Sequence, residues 1–195
     1  HVHDAIASGQ YTSVMIDASH YPLEQNISRT KKVVQQAKPK NISVEAELGV
    51  LSGVEDDLEV DEKNALFTDP NDIVTFVEEA NCDSLAVAVG TSHGAYKFSG
   101  GQGLRFDLLA EIQTKLPNFP IVLHGASQID PDEVKRINSA GGSILTHAKG
   151  ITDDEIKKAI GLGVCKLNIA TDLRLLWTRV FREYFRDHSG EWDHL

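Results

Sequence analysis

Apolar residues follow two alternating patterns along this chain. Short β-rich runs recur as YTSVMIDAS, ISVEAELGV, SLAVAVG, PIVLHGA and CKLNIAT. Each has strand length and strand composition. Between them the spacing becomes helical. PLEQNISRTKKVVQQA carries apolar residues at roughly helical intervals, and TDPNDIVTFVEEA places Pro70 in a first turn after a capping Thr68 or Asp69. IDPDEVKRINSAGG repeats that device and ends on glycine, which closes a helix at little conformational cost. ITDDEIKKAIGLG opens with a capping box, Thr152 with Glu155, and also ends on glycine. DLRLLWTRVFREYF predicts a last amphipathic helix.

Strands alternating with helices make βα units and a parallel sheet, so the fold class is α/β. The strands read as nearly continuous apolar runs, as expected when both faces are covered. A doubly wound sheet and a (β/α)8 TIM barrel both fit. Dinucleotide binding is poorly supported. GGQGLRF comes nearest to GxGxxG, but Phe106 stands where the third glycine belongs and no strand directly precedes it.

Polar residues gather where the runs end. The first ends on Asp17, Ser19 and His20, and the second carries Glu45 and Glu47. The third leads to His93 and the fourth to His124. The fifth carries Asn168, Thr171 and Asp172. Both architectures place ligands at carboxyl strand ends, but a barrel gathers many such ends around one centre. The barrel is therefore favoured. A barrel has eight strands and five are legible, so the chain reads as roughly the last five βα units. On this reading residues 1–195 are the C-terminal portion of a single barrel domain whose N-terminal strands are missing. The opening HVHDAIASGQ, which reads as the middle or end of a helix, fits that expectation.

Composition narrows the partners. The net charge is −10, from 19 basic and 29 acidic residues, which argues against nucleic acid or an anionic membrane surface. An anionic small molecule remains open, because a local site can differ from the whole surface. No apolar run reaches the ~18 residues of a membrane span, and no signal peptide is legible. Cys82 and Cys165 stand singly among apolar neighbours and read as small core residues of a reducing compartment. A cytoplasmic setting is the expectation.

Two strand-end histidines suit a transition metal. Imidazole nitrogen and carboxylate oxygen are ordinary zinc ligands, and a catalytic site keeps one position open. His93 and His124 offer two ligands, and Glu47 a third. The plainer alternative is a pair of hydrogen-bonded structural histidines. His1, His3, His147, His188 and His194 read as surface or loop residues. HGA occurs at 93–95 and again at 124–126. Backbone N–H groups in such turns hold phosphate oxygens, and a phosphate between Ser127, Asn168 and Thr171 is natural if the last two runs are barrel strands seven and eight. Alternatively the glycines only permit tight turns. The longest loop, VLSGVEDDLEVDEKNALF, is acidic with little periodicity. It reads as a lid that delivers Glu55, or as a solvated surface.

YTSVMIDASH, VEAELG with GVEDD, VGTSHGAYKF, LHGAS and GVCKLNIATDLR occur in order between Tyr11 and Arg174. Together they resemble the class II, zinc-dependent fructose-bisphosphate aldolases, with tagatose-bisphosphate aldolases as near relatives. The resemblance implies a (β/α)8 barrel and a lyase that splits fructose 1,6-bisphosphate into dihydroxyacetone phosphate and glyceraldehyde 3-phosphate through a zinc-stabilised enediolate. It implies Zn2+ on His93 and His124, with Glu47 offering an alternative metal position. Glu55 matches a loop glutamate that exchanges a proton with the dihydroxyacetone-phosphate carbon. Gly94, Gly125, Ser127, Asn168 and Thr171 match ketose-phosphate ligands, and Lys97 is similar to a lysine that assists there. Arg174 resembles an arginine that reaches a neighbouring subunit's site. The resemblance also implies a monovalent cation, Na+ or K+, and a homodimer or larger homo-oligomer. A Schiff-base mechanism needs a desolvated lysine inside the barrel, whereas Lys166 lies toward the entry end of its strand.

Two departures matter. The family's third zinc histidine and its catalytic aspartate share an apolar-D-H-G stretch, and none occurs here. This chain by itself is therefore expected to be inactive, and a non-catalytic phosphate-ligand or assembly module is the alternative. Ala170 in NIATD stands where the family's fructose-bisphosphate enzymes often have aspartate, and its tagatose-type enzymes often have alanine there.

Overall fold

All five predicted strands form in one parallel sheet of order β1-β2-β5-β6-β7. They span Ser13–Ile16 (β1), Ser43–Leu48 (β2), Ser84–Val87 (β5), Ile121–Leu123 (β6) and Val164–Leu167 (β7). A computed structural model describes residues 1–51, 53–55, 58–60, 66–92, 103–144 and 150–193, with backbone alone at 53–55 and 58–60. The connecting helices are Val2–Ser8 (α1), Leu23–Ala37 (α2), Ile73–Ala80 (α3), Phe106–Lys115 (α4), Pro131–Ser139 (α5), Asp153–Gly161 (α6) and Thr171–Asp187 (α7). Each parallel pairing joins chain-ordered strands through a helical crossover, as in a (β/α)8 barrel.

Successive strand residues point to opposite faces. On one face Val44, Ala46, Leu85, Val87, Ile121 and Leu123 pack with α2, α3 and α4 through Ile27, Phe76 and Ile112. Full burial of each large side chain contributes about 1.5–3 kcal/mol. The other face carries Met15 beside Glu45 and Ala86 beside Glu47, with Val122 beside Lys166 further along. The strands are thus less uniformly apolar than they read from sequence.

Several local expectations hold. Asp130 caps α5, accepting from the Asp132 N–H with Pro131 in the first turn. Thr152 and Glu155 form the reciprocal capping box of α6. The opening stretch is a helix, closed by Gly9 in the left-handed region.

Others need correction. Pro70 does not start α3. Asp69 accepts from the Asn71 N–H in a preceding turn, and Asp72 caps α3 without its side chain. The acidic loop contains a short antiparallel hairpin, Gly53–Glu55 (β3) with Leu58–Val60 (β4). Helix α4 was not legible, because the glycine-rich GGQGLRF before it masks its start. Cys82 is buried, as read, but Cys165 is exposed. The register shifts between Ile121 and Val122, so Cys165 falls between the paired Val164 and Lys166 and leaves the core. Among the described residues no helix is long and apolar enough to cross a membrane.

Candidate metal and phosphate site

Glu45 and Glu47 are two residues apart on β2 and so share one face. His124 follows β6 directly. Strand β5 lies between β2 and β6, and its residue opposite Glu47 is Ala86. That small side chain leaves room for the longer ones to meet across it. His124 Nε2 lies 2.8 Å from Glu45 Oε1, and Nδ1 lies 3.0 Å from Glu47 Oε2. All three residues are buried, with exposures of 5% or less. Lys166 Nζ reaches Glu45 Oε2 at 2.6 Å.

The electrostatics follow from this packing. Burial by itself would lower the His124 pKa, but hydrogen bonds to Glu45 and then Glu47 outweigh it and raise the value to about 9. Burial pushes Glu45 up, whereas hydrogen bonds to His124 and Lys166 hold its carboxyl below the usual range. A metal ion on His124 therefore competes with a proton.

The neighbouring backbone is locked by side chains to which sequence reading gave no role at the site. Buried Asn26 on α2 donates to the Glu47 carbonyl at 2.9 Å, and Thr30 donates to Asn26. Thr68 donates to the Leu48 carbonyl and accepts from the Ala88 N–H, tying β2 to the end of β5.

Beyond His124 the chain turns tightly. Gly125 has φ 60°, and a Cβ there would sit 2.5 Å from the Ser92 carbonyl oxygen. Only glycine allows the turn after β6 to approach Ser92 so closely. Ser127 is buried, and its Oγ accepts from the N–H groups of Ala170 and Thr171. Asp172 reaches back and accepts from the N–H groups of Gln128 and Ile129 at 2.9 and 2.8 Å. Buried Ile129 has φ 59°, a left-handed conformation that is costly for a β-branched residue, and the Asp172 bond helps hold it. Asn168 donates to the Leu123 carbonyl and accepts from the Ala126 N–H. The loop after β6 and the start of α7 thus form one reciprocal clasp.

The structure brings together His124, Glu47, Gly125, Ser127, Asn168 and Thr171 among the residues read from sequence. Arg174 lies exposed in the first turns of α7. His93, Gly94 and Lys97 lie outside the described residues, as does the side chain of Glu55. His147 and His194 also lie outside them, while His1, His3, His20 and His188 are exposed. Among the described residues no three His, Cys, Asp or Glu side chains are arranged to hold a metal by themselves. The donor set nevertheless fits part of a zinc site, because a buried imidazole nitrogen faces a buried carboxylate oxygen. Glu45 was noted in the sequence but given no role, although its i, i+2 spacing from Glu47 was the available signal. Lys166 is the clearest revision. It lies on the same face as Glu45, and its amine is engaged in the ion pair rather than set apart near the strand's entry.

Comparison with known proteins agrees with this geometry. The family model for class II fructose-bisphosphate aldolase matches residues 1–194. A fructose-bisphosphate aldolase of Thermus caldophilus is 48% identical over 94% of this chain and 59% of its own length. The corresponding protein of Helicobacter pylori strain J99 is 43% identical over 97% of this chain and 61% of its own. A crystal structure from Coccidioides immitis, described as a fructose-1,6-bisphosphate aldolase, superposes with TM-score 0.74 at 26% identity, covering 93% of this chain and 56% of that one. The chain thus spans about three-fifths of the length of the curated relatives it matches. With strand order, strand-end chemistry and the family match in agreement, the chain belongs to the class II fructose-bisphosphate aldolase family.

Proposed function

We propose that the full-length protein carrying this chain is a metal-dependent aldolase that reversibly cleaves fructose 1,6-bisphosphate to dihydroxyacetone phosphate and glyceraldehyde 3-phosphate. The observation that carries this reading is buried His124 facing Glu47 beside the Ser127–Thr171 clasp, in a chain of this family. On this reading residues 1–195 are the C-terminal portion of one barrel domain, and the missing strands bring the third histidine and the catalytic aspartate. His93 and His124 hold zinc, and Glu47 offers it an alternative position. When bound, the ion supplies a Lewis acid for the charge that develops as the carbon–carbon bond breaks.

The protein's own groups do the remaining work. Ser127, whose oxygen already accepts from α7, keeps its hydroxyl proton for a phosphate oxygen. Gly94, Gly125, Asn168 and Thr171 complete the ketose-phosphate site, at a helix start where backbone N–H groups and the helix dipole favour an anion. Lys97 assists there, and a monovalent cation sits nearby. Glu55 moves the proton of the dihydroxyacetone-phosphate carbon. Arg174 meets the second phosphate in a neighbouring subunit, which requires a homodimer or larger assembly in the cytoplasm. Fixing both phosphates turns binding energy into orientation of the reacting bond.

Ala170 supports a second reading, tagatose 1,6-bisphosphate as substrate. The test is cleavage of both sugar bisphosphates by the full-length protein, with and without chelator and with zinc restored. Faster, chelator-sensitive cleavage of the fructose substrate is expected. Faster tagatose cleavage would transfer the assignment to the second reading, and no cleavage of either would overturn both.

A further inference from the structure

The acidic loop that carries Glu55 leaves the sheet at the end of β2 and returns before α3, and both of its roots meet at Thr68. The parallel ladder between β2 and β5 ends at Leu48 and Val87. One step further the Ala88 N–H nitrogen lies 3.4 Å from the Leu48 carbonyl oxygen, longer than an ordinary ladder bond. The Thr68 hydroxyl bridges that gap. It donates to the Leu48 carbonyl and accepts from the Ala88 N–H at 2.8 Å. The Thr68 N–H donates to the Ala88 carbonyl at 2.9 Å. Thr68 is 1% exposed, so these bonds are made away from bulk water. Gly49 permits the close approach: its φ is 90°, and a Cβ there would sit 2.8 Å from Thr68 Oγ1. Val50 and Leu66 then exchange both backbone hydrogen bonds, at 2.7 and 2.9 Å, and close the neck of the loop. Glu55 ends β3, which begins at Gly53 shortly beyond that neck.

We infer that Thr68 is a positioning residue for Glu55: its hydroxyl locks both roots of the acidic loop to the strand ends, so that Glu55 is presented from a fixed neck. The inference rests on the reading of Glu55 as the group that moves the proton of the dihydroxyacetone-phosphate carbon. Proton transfer needs the base within reach of the proton it takes. A displacement of about 1 Å, caused far from the chemistry, can cost on the order of 100-fold in rate. Thr68→Val keeps the shape of the side chain but leaves a buried carbonyl and a buried N–H short of a partner, which frees the loop roots from the strand ends. Thr68→Ser keeps the hydroxyl.

The test uses the full-length, zinc-loaded protein and dihydroxyacetone phosphate in D2O, without aldehyde, so that only the proton step runs. Loss of the carbon-bound proton signal is followed by NMR. Exchange should be on the order of 100-fold slower in Thr68→Val. Its zinc content and the dihydroxyacetone-phosphate concentration giving half-maximal exchange should stay the same. Thr68→Ser should exchange at close to the original rate. Amide exchange at Val50 and Leu66 should quicken in Thr68→Val, a readout independent of the reaction. Unchanged proton exchange in Thr68→Val, or a loss matched by lost zinc or weaker substrate binding, would overturn the positioning role. Glu55→Gln separates the two readings. Abolished proton exchange is expected there, and normal exchange would overturn the reading of Glu55 and the inference with it. If Thr68→Val fails to fold, Leu66→Pro removes one neck bond at an exposed side chain and carries the same expectation. Exchange at the original rate in that variant would overturn the inference.

Discussion

The two faces of β2 come from alternate residues of one six-residue strand, and they do opposite things. Val44, Ala46 and Leu48 lie in the main apolar cluster with α2 and α3. Glu45 and Glu47, one residue out of step, face a histidine from a strand two places away. The same backbone ladder therefore supports a stabilising face and a chemical face. The difference teaches that register matters more than composition here. Sliding β2 by one residue would bury glutamates among Ile27 and Phe76 and carry valine to the site.

This contrast can be tested by substitution. The largest expected effect is on the helix-packed face. Phe76→Ala should cost about 3–5 kcal/mol of stability in denaturant unfolding, because it leaves a cavity at a fully buried position. Zinc affinity of the molecules that remain folded should be unchanged. On the other face, His124→Ala should lower zinc affinity roughly 100-fold or more, while moving the unfolding midpoint less than Phe76→Ala. Equal stability losses from both substitutions would break the contrast.

Smaller effects sharpen it. Asp172→Ala removes the acceptor of two backbone N–H groups and the restraint on Ile129, and should cost about 2–3 kcal/mol. In binding assays with inorganic phosphate it should weaken affinity beyond any change from Thr152→Ala. That substitution removes only the capping box local to α6, and should cost about 1 kcal/mol and leave phosphate binding alone. The smallest effect concerns reactivity. Burial pushes the Cys82 thiol up to about 12, so less thiolate is present at any given pH than in the unfolded chain. Raising the pH from 7 to 9 should leave Cys82 almost unlabelled by maleimide in the native protein, with rapid labelling after unfolding. Fast native labelling of the Cys82 peptide would show that the core around α3 opens readily.

Much of the fold was legible because its signals are local. Asp130-Pro131 and Thr152 with Glu155 each act within one turn of helix, so the sequence alone carries them. Pro70 misled because the same Asp-Pro pair also makes a tight turn, and only the surrounding packing chose the turn. The β3–β4 hairpin was hidden for the opposite reason. Each of its strands is three residues long, too short for an alternation to stand out within an acidic loop. At the site, His124, Glu47 and Ser127 were legible as polar residues ending apolar runs. Asp172 and Lys166 were visible but uninterpretable, because their partners lie 44 and 121 residues away in the chain.

By itself, the sequence determined the βα rhythm, the caps of α5 and α6, the family and the placement of chemistry at strand ends. Those features depend on periodicity and on contacts within a few residues. The tertiary structure alone decided which nitrogen of His124 meets which carboxylate, that Lys166 joins Glu45, and that Asp172 holds Ile129. Each of these depends on the order and register of separate strands, and on the small Ala86 that lets long side chains cross the strand between them. No local pattern encodes a distance between strands, so this part of the site existed only once the sheet had formed.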